Sequence, residues 1–205
     1  MRPPGSDHVL MTIENGTYPS DSRVRHEATA LADAGYQVSV ICQRGPYQAW
    51  VEDIDGISVF RYPAPPEAPC FLGYLLEYTY SLAATFLMSL VVWVRHGFGL
   101  IHAANPPDTA VFIALFYKLF GKKFIYDHHD LAPEAYLYRF NREGNKVVYR
   151  MLIWLEKMSC RFADHVIATN ESYKMIEMER GNVPEERITI VRNGPELDQI
   201  GKSVV

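Results

Sequence analysis

The sequence KFIYDHHDLAPE, residues 123–134, carries the most information about both the fold and the function of this chain. The apolar run at residues 123–127 predicts a short buried strand, and paired imidazoles and carboxylates follow at its end. Pro133 is then expected to end regular structure. In open parallel sheets, ligands bind beyond the carboxyl ends of the strands, so titratable side chains at such an end are candidates for a functional site.

Outward from this stretch, strand-like and helix-like runs alternate along almost the whole chain. Strands are predicted at residues 8–13, 37–42, 57–62, 100–103, 123–127, 165–169 and 188–191. Helices are predicted at residues 22–34, 71–94, 108–120, 147–162 and 172–180. Strands separated by helices of this length predict right-handed crossovers. The expected fold class is therefore α/β: a doubly wound, mostly parallel, Rossmann-like sheet with helices on both faces.

The composition is that of a folded protein in a reducing compartment. Apolar residues make up 48% and charged residues 21% of the 205 residues, which is typical of a chain that buries a core. The net charge of −4 argues against a nucleic-acid partner. Cys42, Cys70 and Cys160 form no CxxC pair, and the first seven residues contain no apolar signal-peptide core. A cytoplasmic location without disulfides or structural zinc is expected.

Residues 71–94 carry one charge, Glu77, and are long enough to cross a membrane. Three interpretations are open: a buried crossover helix, a helix on the membrane surface, and a span. A span would place two strands of one sheet on opposite sides of a bilayer, and Thr79, Ser81 and Thr85 reduce its apolar character. A largely buried crossover helix is the simplest interpretation, and a surface helix of this length is the next.

The helix that ends at residue 162 has a basic stripe, which bears on the membrane question. At about 100° per residue, the stripe contains Arg142, Lys146, Arg150, Lys157 and Arg161. The apolar residues expected to face the sheet are Val147, Met151, Leu155, Met158 and Phe162. A basic stripe flanked by Ile153 and Trp154 suits an anionic membrane surface, although a solvated helix face explains it equally well. The sequence therefore leaves two locations open: free in the cytoplasm, or bound peripherally to the inner face of the membrane.

The loop after the first strand, residues 14–21, lies where doubly wound proteins bring ligands to a helix start. It contains Asn15 and Gly16 but lacks the GxGxxG spacing, so NAD or FAD binding is not expected. Arg23 and Arg25 open the following helix and either pair with an anionic ligand or solvate the helix. The fourth strand ends at Asn105, which either donates a hydrogen bond in the crevice or caps the next helix together with Asp108.

The two histidines of the opening stretch alternate in direction if the strand persists. Only one of His128 and His129 then faces the crevice. A metal site would use both with Asp127 and Asp130, but the spacing matches no standard zinc pattern. Neither a metal ion nor an organic cofactor is therefore expected.

Several stretches together resemble the N-terminal domain of family-4-type retaining glycosyltransferases. Each is weak alone, and their order and spacing over nearly the whole chain carry the resemblance. They are YPSDSRVRHE at residues 18–27, LADAGYQV at 31–38, IHAANPPD at 101–108, YDHHDL at 126–131, VIATN at 166–170 and ITIVRNG at 188–194.

That resemblance implies the GT-B architecture, in which two Rossmann-like domains face a cleft without a metal requirement. Residues 1–194 would form the acceptor-binding N-terminal domain, and residues 195–205 would begin the linker to a C-terminal domain that holds the nucleotide-sugar donor. His129 would lie beside the transferring sugar as the catalytic residue, and Gly16 would let the first loop approach the donor phosphates or the acceptor. The substrate-binding residues would be Asn15, Gly16, Arg23, Asn105, His128 and Asp130.

The partners implied are the absent donor-binding domain or subunit, a nucleotide sugar, and a glycan or lipid-linked acceptor, as in polysaccharide biosynthesis. The family's E-x7-E motif belongs to the second domain, so the same spacing between Glu171 and Glu179 is treated as a coincidence. Since one wall of a cleft cannot neutralise a departing nucleotide diphosphate, the chain alone is expected to be inactive. The alternative function is a non-catalytic protein-interaction module of the same fold.

Overall fold

The computed structural model describes residues 7–65, 71–140 and 144–194. Its strands are β1 (His8–Ile13), β2 (Gln37–Arg44), β3 (Val51–Ile54), β4 (Ile57–Pro63), β5 (Leu100–Ala104), β6 (Lys123–His128), β7 (His165–Ala168) and β8 (Ile188–Ile190). Its α-helices are α1 (Ser22–Asp33), α2 (Phe71–Arg95), α3 (Ala110–Lys118), α4 (Ala132–Arg139), α5 (Lys146–Phe162) and α6 (Glu171–Glu179). The segment proposed as a linker, Arg142 and Cys70 lie outside the described residues.

The strands form one sheet in the order β3-β4-β2-β1-β5-β6-β7-β8, in which only the β3–β4 pair is antiparallel. Helix α1 packs on one face, where Val24 and Ala28 meet the β1, β2 and β4 side chains. Helices α2, α3, α5 and α6 pack on the other face, over a core that includes Phe124 and Tyr126. The predicted fold class, a doubly wound and mostly parallel sheet with helices on both faces, is confirmed.

Helix α1 forms where its capping residues predict. The side chain of Asp21 accepts a hydrogen bond from the backbone N–H of Val24 at 3.0 Å, which satisfies one free donor of the first turn. Gly35 follows the last turn with φ of +87°, a left-handed conformation that glycine adopts without strain. This pair of signals fixes the β1–α1–β2 unit and therefore the loop at the crevice edge.

The sequence prediction missed one strand and one α-helix. Strand β3 pairs with β4 through a two-residue turn at Asp55 and Gly56, both with positive φ, and its alternate side chains face solvent, so no core pattern marks it. Helix α4 begins where Pro133 was expected to end regular structure. Proline is tolerated in the first turn of a helix because its missing N–H would be unpaired there anyway, so that prediction was wrong.

Helix α2 is the long crossover helix that the sequence predicts, but it is not largely buried. Only 22% of Leu76–Arg95 is buried, because the fully buried residues form one narrow stripe and their apolar neighbours on the core side are half-buried. That stripe consists of Ser81, Thr85, Ser89 and Val92. Because α2 connects β4 to β5 within one sheet, this fold leaves no room for it to span a bilayer.

Helix α5 turns a different face to the sheet than expected. Three of the five apolar residues predicted to face inward are buried or pack on the core: Leu155, Met158 and Phe162. Val147 and Met151 are instead exposed, which corrects the prediction. The buried face is centred on Glu156 and Ser159, because Glu156 pairs with Arg180, the C-cap residue of α6, and Ser159 donates to the carbonyl of Asp108 at 3.1 Å.

Candidate functional site

Parallel pairing brings the carboxyl ends of β1, β5, β6, β7 and β8 to one edge of the sheet. The loops that leave this edge carry Asn15 and Gly16 after β1, Asn105 after β5, and His129 and Asp130 after β6. The predicted site residues on these loops therefore share one edge, which we call the crevice edge. Their individual contacts decide which of them a ligand can reach.

Asn105 organises this edge but has no hydrogen-bonding capacity left for a ligand. Its amide nitrogen donates to the carbonyl of Asp130 at 2.7 Å and also meets Asp108 and the Tyr126 hydroxyl at 3.1 and 3.3 Å. Its side-chain oxygen accepts from the backbone N–H groups of His129 and Asp130 at 2.9 and 3.0 Å. The predicted substrate-binding role is thus replaced by a positioning role: Asn105 fixes the backbone that presents His129.

Arg23 is likewise committed to the protein. Its Nε and one terminal nitrogen donate hydrogen bonds to the two carboxylate oxygens of Asp127 at 2.8 and 2.5 Å. The other terminal nitrogen donates to the Val191 carbonyl at 3.0 Å and to the Asn193 side-chain oxygen at 2.6 Å. Arg23 therefore connects α1 to the end of β6 and to the segment after β8. The prediction that its guanidinium binds an anionic ligand is not supported, because the group is already bound to the protein.

His129 is a predicted site residue whose side chain remains accessible. Its Nδ1 lies 3.3 Å from Asp127 Oδ2, and its side chain is 17% exposed at the crevice edge. We assign the Nδ1 proton to this contact because a carboxylate can only accept. With that proton on Nδ1, the ring is fixed by a carboxylate that Arg23 holds in place, and Nε2 is the nitrogen that makes no contact with Asp127.

A buried charge cluster surrounds Asp127. Glu27 lies 3.2 Å from Arg23 and 3.3 Å from His102 Nε2, and His102 Nε2 lies 3.9 Å from Asp127. Although burial acts in the opposite direction, the neighbouring His102, His129 and Arg23 hold the pKa of Asp127 well below its ordinary range. Burial raises the pKa of Glu27, while for His102 burial is outweighed by Asp127 and Glu27, which raise its pKa.

By distance alone, Glu27, His102 and Asp127 offer ligand atoms that all lie within 4.8 Å of one another. A cation would have to share this cluster with the Arg23 guanidinium, which already contacts both carboxylates. The arrangement is that of an ion-pair network that orients His129. Of the four residues in the sequence-based metal alternative, Asp127 alone belongs to this cluster.

His128 does not lie in the crevice. It is fully buried on the opposite face of the sheet, where its ring stacks on Tyr126 and its Nδ1 lies 3.2 Å from Glu177. Its Nε2 lies 3.6 Å from Glu156, which in turn pairs with Arg180 at 2.6 Å. Although burial lowers the pKa of His128, Glu177 and the nearby carboxylates raise it above its ordinary value. The predicted substrate-binding role is therefore wrong, since His128 locks α5 and α6 onto β6.

The first loop presents Asn15 to solvent, while Gly16 is half-buried. The backbone N–H of Gln43 donates to the Gly16 carbonyl at 3.2 Å, and a Cβ at Gly16 would approach a methyl carbon of Ile13 to 3.3 Å. Gly16 is thus favoured by close packing at the end of β1. Asn15 and the exposed Asp130 are the predicted substrate-binding residues whose side chains remain accessible at the crevice edge.

Glu14 is a candidate that the sequence analysis missed. It is 2% exposed at the carboxyl end of β1, and its Oε2 accepts from the Thr109 hydroxyl at 3.4 Å. Its Oε1 has no hydrogen-bond partner among the described residues. Burial raises the pKa of Glu14 to about 8. The signal for Glu14 was its position as a polar residue directly after a buried strand. The sequence analysis instead interpreted this loop through Gly16.

A second accessible region of the crevice edge lies after β7 and β8. It is an open cavity of about 490 Å³, lined by Thr169, Asn170, Glu171, Ser172, Arg192 and Asn193. The Asn170 side chain caps α6 by accepting from the backbone N–H of Tyr173 at 3.1 Å. Since Asn193 also binds Arg23, this cavity and the His129 network share one wall.

An open parallel sheet with a polar crevice at its carboxyl edge defines a Rossmann-like ligand-binding domain. The family model described as Glycosyl transferase 4-like domain matches residues 20–194. The chain therefore belongs to the family of glycosyl transferase 4-like domains, which confirms the resemblance seen in the sequence. Comparison with curated proteins gives no match.

Solved structures share the fold at low sequence identity. The sucrose-phosphate synthase of Thermosynechococcus elongatus superimposes with a TM-score of 0.68 at 16% identity, over 93% of this chain and 49% of that one. LpCGTa in complex with UDP gives 0.62 at 11%, over 94% and 54%. The catalytic domain of starch synthase IV of Arabidopsis thaliana, bound to ADP and acarbose, gives a TM-score of 0.57 at 14% identity, over 95% of this chain and 53% of that one. The chain thus has the fold of one domain of a GT-B glycosyltransferase and spans about half the length of these proteins.

Proposed function

We propose that this chain is the acceptor-binding half of a retaining glycosyltransferase that moves a sugar from a nucleotide-sugar donor to a glycan or lipid-linked acceptor. The observation that best supports this proposal is that the Asp127–Arg23 pair orients His129 at the crevice edge. In the tautomer that keeps its proton on Nδ1, the imidazole offers Nε2 as an acceptor for a sugar hydroxyl. The side chains of Asn15 and Asp130 and the cavity beside Arg192 supply further polar contacts for a glycan.

Transfer also requires that the departing nucleotide diphosphate be stabilised while both substrates are held in line. Among the described residues of the crevice edge, Asp130 and Glu171 are exposed carboxylates, and Arg192 is an exposed cation that lines the same cavity as Glu171. Arg23 is bound to Asp127. We infer that a donor-binding domain or subunit supplies the diphosphate contacts, and that no metal ion or organic cofactor takes part.

The test is release of free nucleotide from a panel of UDP-, GDP- and ADP-sugars in the presence of a glycan acceptor extract. Three samples are compared: the 205-residue chain, a separately produced donor-binding half, and their mixture. We expect release from the mixture and none from this chain. Sustained release by the chain alone would contradict the proposed division of labour, whereas an inactive mixture with every donor would favour the non-catalytic interaction module.

A further inference from the structure

Helix α2 buries small polar side chains most deeply and exposes large apolar ones, unlike an ordinary surface helix. Ser81, Thr85 and Ser89 face the sheet and are buried, and the Ser89 hydroxyl lies 2.8 Å from the Tyr117 hydroxyl. Residues of the outward stripe are apolar, with Leu87 58% and Val94 84% exposed. A solvated helix carries charged groups on this side, so the pattern indicates that something other than water covers it.

The exposed apolar surface continues across the neighbouring helices. Aromatic contacts join the helices side by side: Trp93 to Phe120 at 4.9 Å between ring centroids, and Phe112 to Trp154 at 6.2 Å. We define the apolar face by six exposed residues from α2, the end of α3 and α5. They are Leu76, Leu87, Val94, Leu119, Val147 and Trp154. Isolated exposed apolar residues are normal, whereas a surface shared by three adjacent helices marks an interaction site.

Basic residues flank this face without acidic counterparts. The exposed members, which we call the basic border, make no ion pair or hydrogen bond with the described residues. They are Arg95, Lys146, Arg150, Lys157 and Arg161. The acidic residues within α2, α3 and α5 are Glu77, which is half-buried, and Glu156, which is buried against Arg180. The outward surface of the three helices is therefore apolar and positive.

We propose that the apolar face and the basic border dock this domain on an anionic lipid bilayer. Apolar side chains that enter the interface beside lysines and arginines that contact anionic headgroups are the two signals that together hold a protein on a membrane surface. Protein interfaces instead exclude charged residues, lysine above all, from their centres. A bilayer therefore fits the alternation of Trp154 and Val147 with Lys146, Arg150 and Lys157 along α5 better than a protein partner does.

The orientation of the helices links docking to the crevice. Helices α2 and α5 both begin near the carboxyl edge of the sheet and run back toward its amino edge. A bilayer along their outward faces therefore extends to the carboxyl edge of the sheet, from which the loop with His129 also leaves. This part rests on the proposed function, because it means that the acceptor of the sugar is lipid-linked and enters the crevice from the membrane.

The experiment is flotation of the full 205-residue chain with lipid vesicles through a sucrose gradient. The vesicles consist of phosphatidylcholine, alone or mixed with phosphatidylglycerol. We expect binding to the anionic vesicles only, and loss of binding at high salt. Since no sugar donor or acceptor is present, failure here leaves the transfer test untouched. Inorganic phosphate is added as a competitor in one arm, because a free-phosphate site would be blocked by it whereas a membrane surface would not.

Variants locate the surface. Lys146→Gln, Arg150→Gln and Lys157→Gln combined should weaken partitioning to anionic vesicles about 100-fold, at roughly fivefold per charge removed. The matched control removes three charges elsewhere, with Arg25→Gln, Arg44→Gln and Lys174→Gln, and should change partitioning little. These positions lie on α1, β2 and α6. Circular dichroism and thermal unfolding of each variant confirm that the fold is kept.

The apolar face is tested in the same way. Leu87→Ser with Val94→Ser should reduce binding, while Tyr47→Ser with Val51→Ser, exposed near strand β3, should not. Equal binding to neutral and anionic vesicles, or insensitivity to both sets of variants, would overturn the proposal. So would a stable dimer in size-exclusion chromatography that Leu87→Ser dissociates while vesicles bind nothing, because the face would then be an interface between copies of the chain.

Discussion

At the scale of single residues, Arg23 is the hub of the crevice edge. It connects α1, the end of β6 and the segment after β8 through Asp127, Val191 and Asn193, and Asp127 in turn orients His129. Both charged partners are almost fully buried, so each relies on the other for the hydrogen bonds that water would otherwise supply. The orientation of the candidate catalytic histidine therefore depends on a residue that does not itself meet the substrate.

Replacing Arg23 by alanine should cost about 3–5 kcal/mol of unfolding free energy, because Asp127 is left as a buried charge without its main partner. Urea denaturation measures this directly. Arg161→Ala, which removes an exposed arginine from α5, serves as the control and should change stability by less than about 0.5 kcal/mol. Equal stabilities for the two variants would show that the network does not hold the edge together.

Glu14 gives a prediction on pH. The pKa of Glu14 is raised to about 8 in the folded chain, against an ordinary value of 4.5, because the side chain is buried. Between these values the folded state keeps a proton that the unfolded state has lost, so stability falls as pH rises from 4.5 to 8. Glu14→Gln should therefore be more stable than the wild type, by an amount that grows through this window to about 5 kcal/mol. Stability curves of both proteins against pH provide the test, and a constant difference would contradict the buried neutral carboxyl.

The residues of the site were only partly predictable. Strand alternation predicts that one of His128 and His129 faces the crevice, and the structure assigns that place to His129. The roles of Asn105 and Arg23 could not be predicted, because their partners at Asp130, Asp127 and Asn193 come from distant parts of the sequence. A polar residue at a strand end can bind a ligand or another loop, and the sequence alone does not distinguish the two.

At the scale of elements, α2 shows how a correct helix prediction can have the wrong orientation. The apolar content of residues 71–94 suggested burial, yet the buried stripe contains Ser81, Thr85 and Ser89. Small side chains let the helix approach the sheet closely, and Tyr117 on α3 offers its hydroxyl to Ser89. The stripe was unpredictable because that partner lies outside the helix.

Two substitutions on α2 should show opposite effects from those of an ordinary amphipathic helix. Leu87→Ser should change the free energy of unfolding by less than about 0.5 kcal/mol, because this leucine is exposed. Ser89→Leu should cost about 1–3 kcal/mol, since it overfills a packed position and removes the bond to Tyr117. Thermal or urea unfolding compares them, and a larger loss for Leu87→Ser would refute the orientation of the helix.

At the scale of the whole molecule, the fold was predictable because each strand of the parallel sheet is recognisable in the sequence as a short apolar run between helices. The hairpin strand β3 was not predicted because its side chains are half exposed. Helix α4 was not predicted because Pro133 starts a helix as readily as it ends one. Neither error changes the strand order from β2 to β8 that creates the crevice edge. Topology follows from the alternation of elements, whereas the chemistry of the edge follows from tertiary contacts.

The central claim is that this domain forms one wall of a sugar-transfer cleft, with His129 turned into it. The most direct measurement is steady-state turnover of a nucleotide sugar by the chain together with its donor-binding half, for the wild type and for His129→Ala. The account predicts that kcat falls by about 100-fold or more while the melting temperature is nearly unchanged, and that His165→Gln, at the opposite edge of the sheet, retains full turnover. A His129→Ala protein with a kcat within about twofold of the wild type would contradict it.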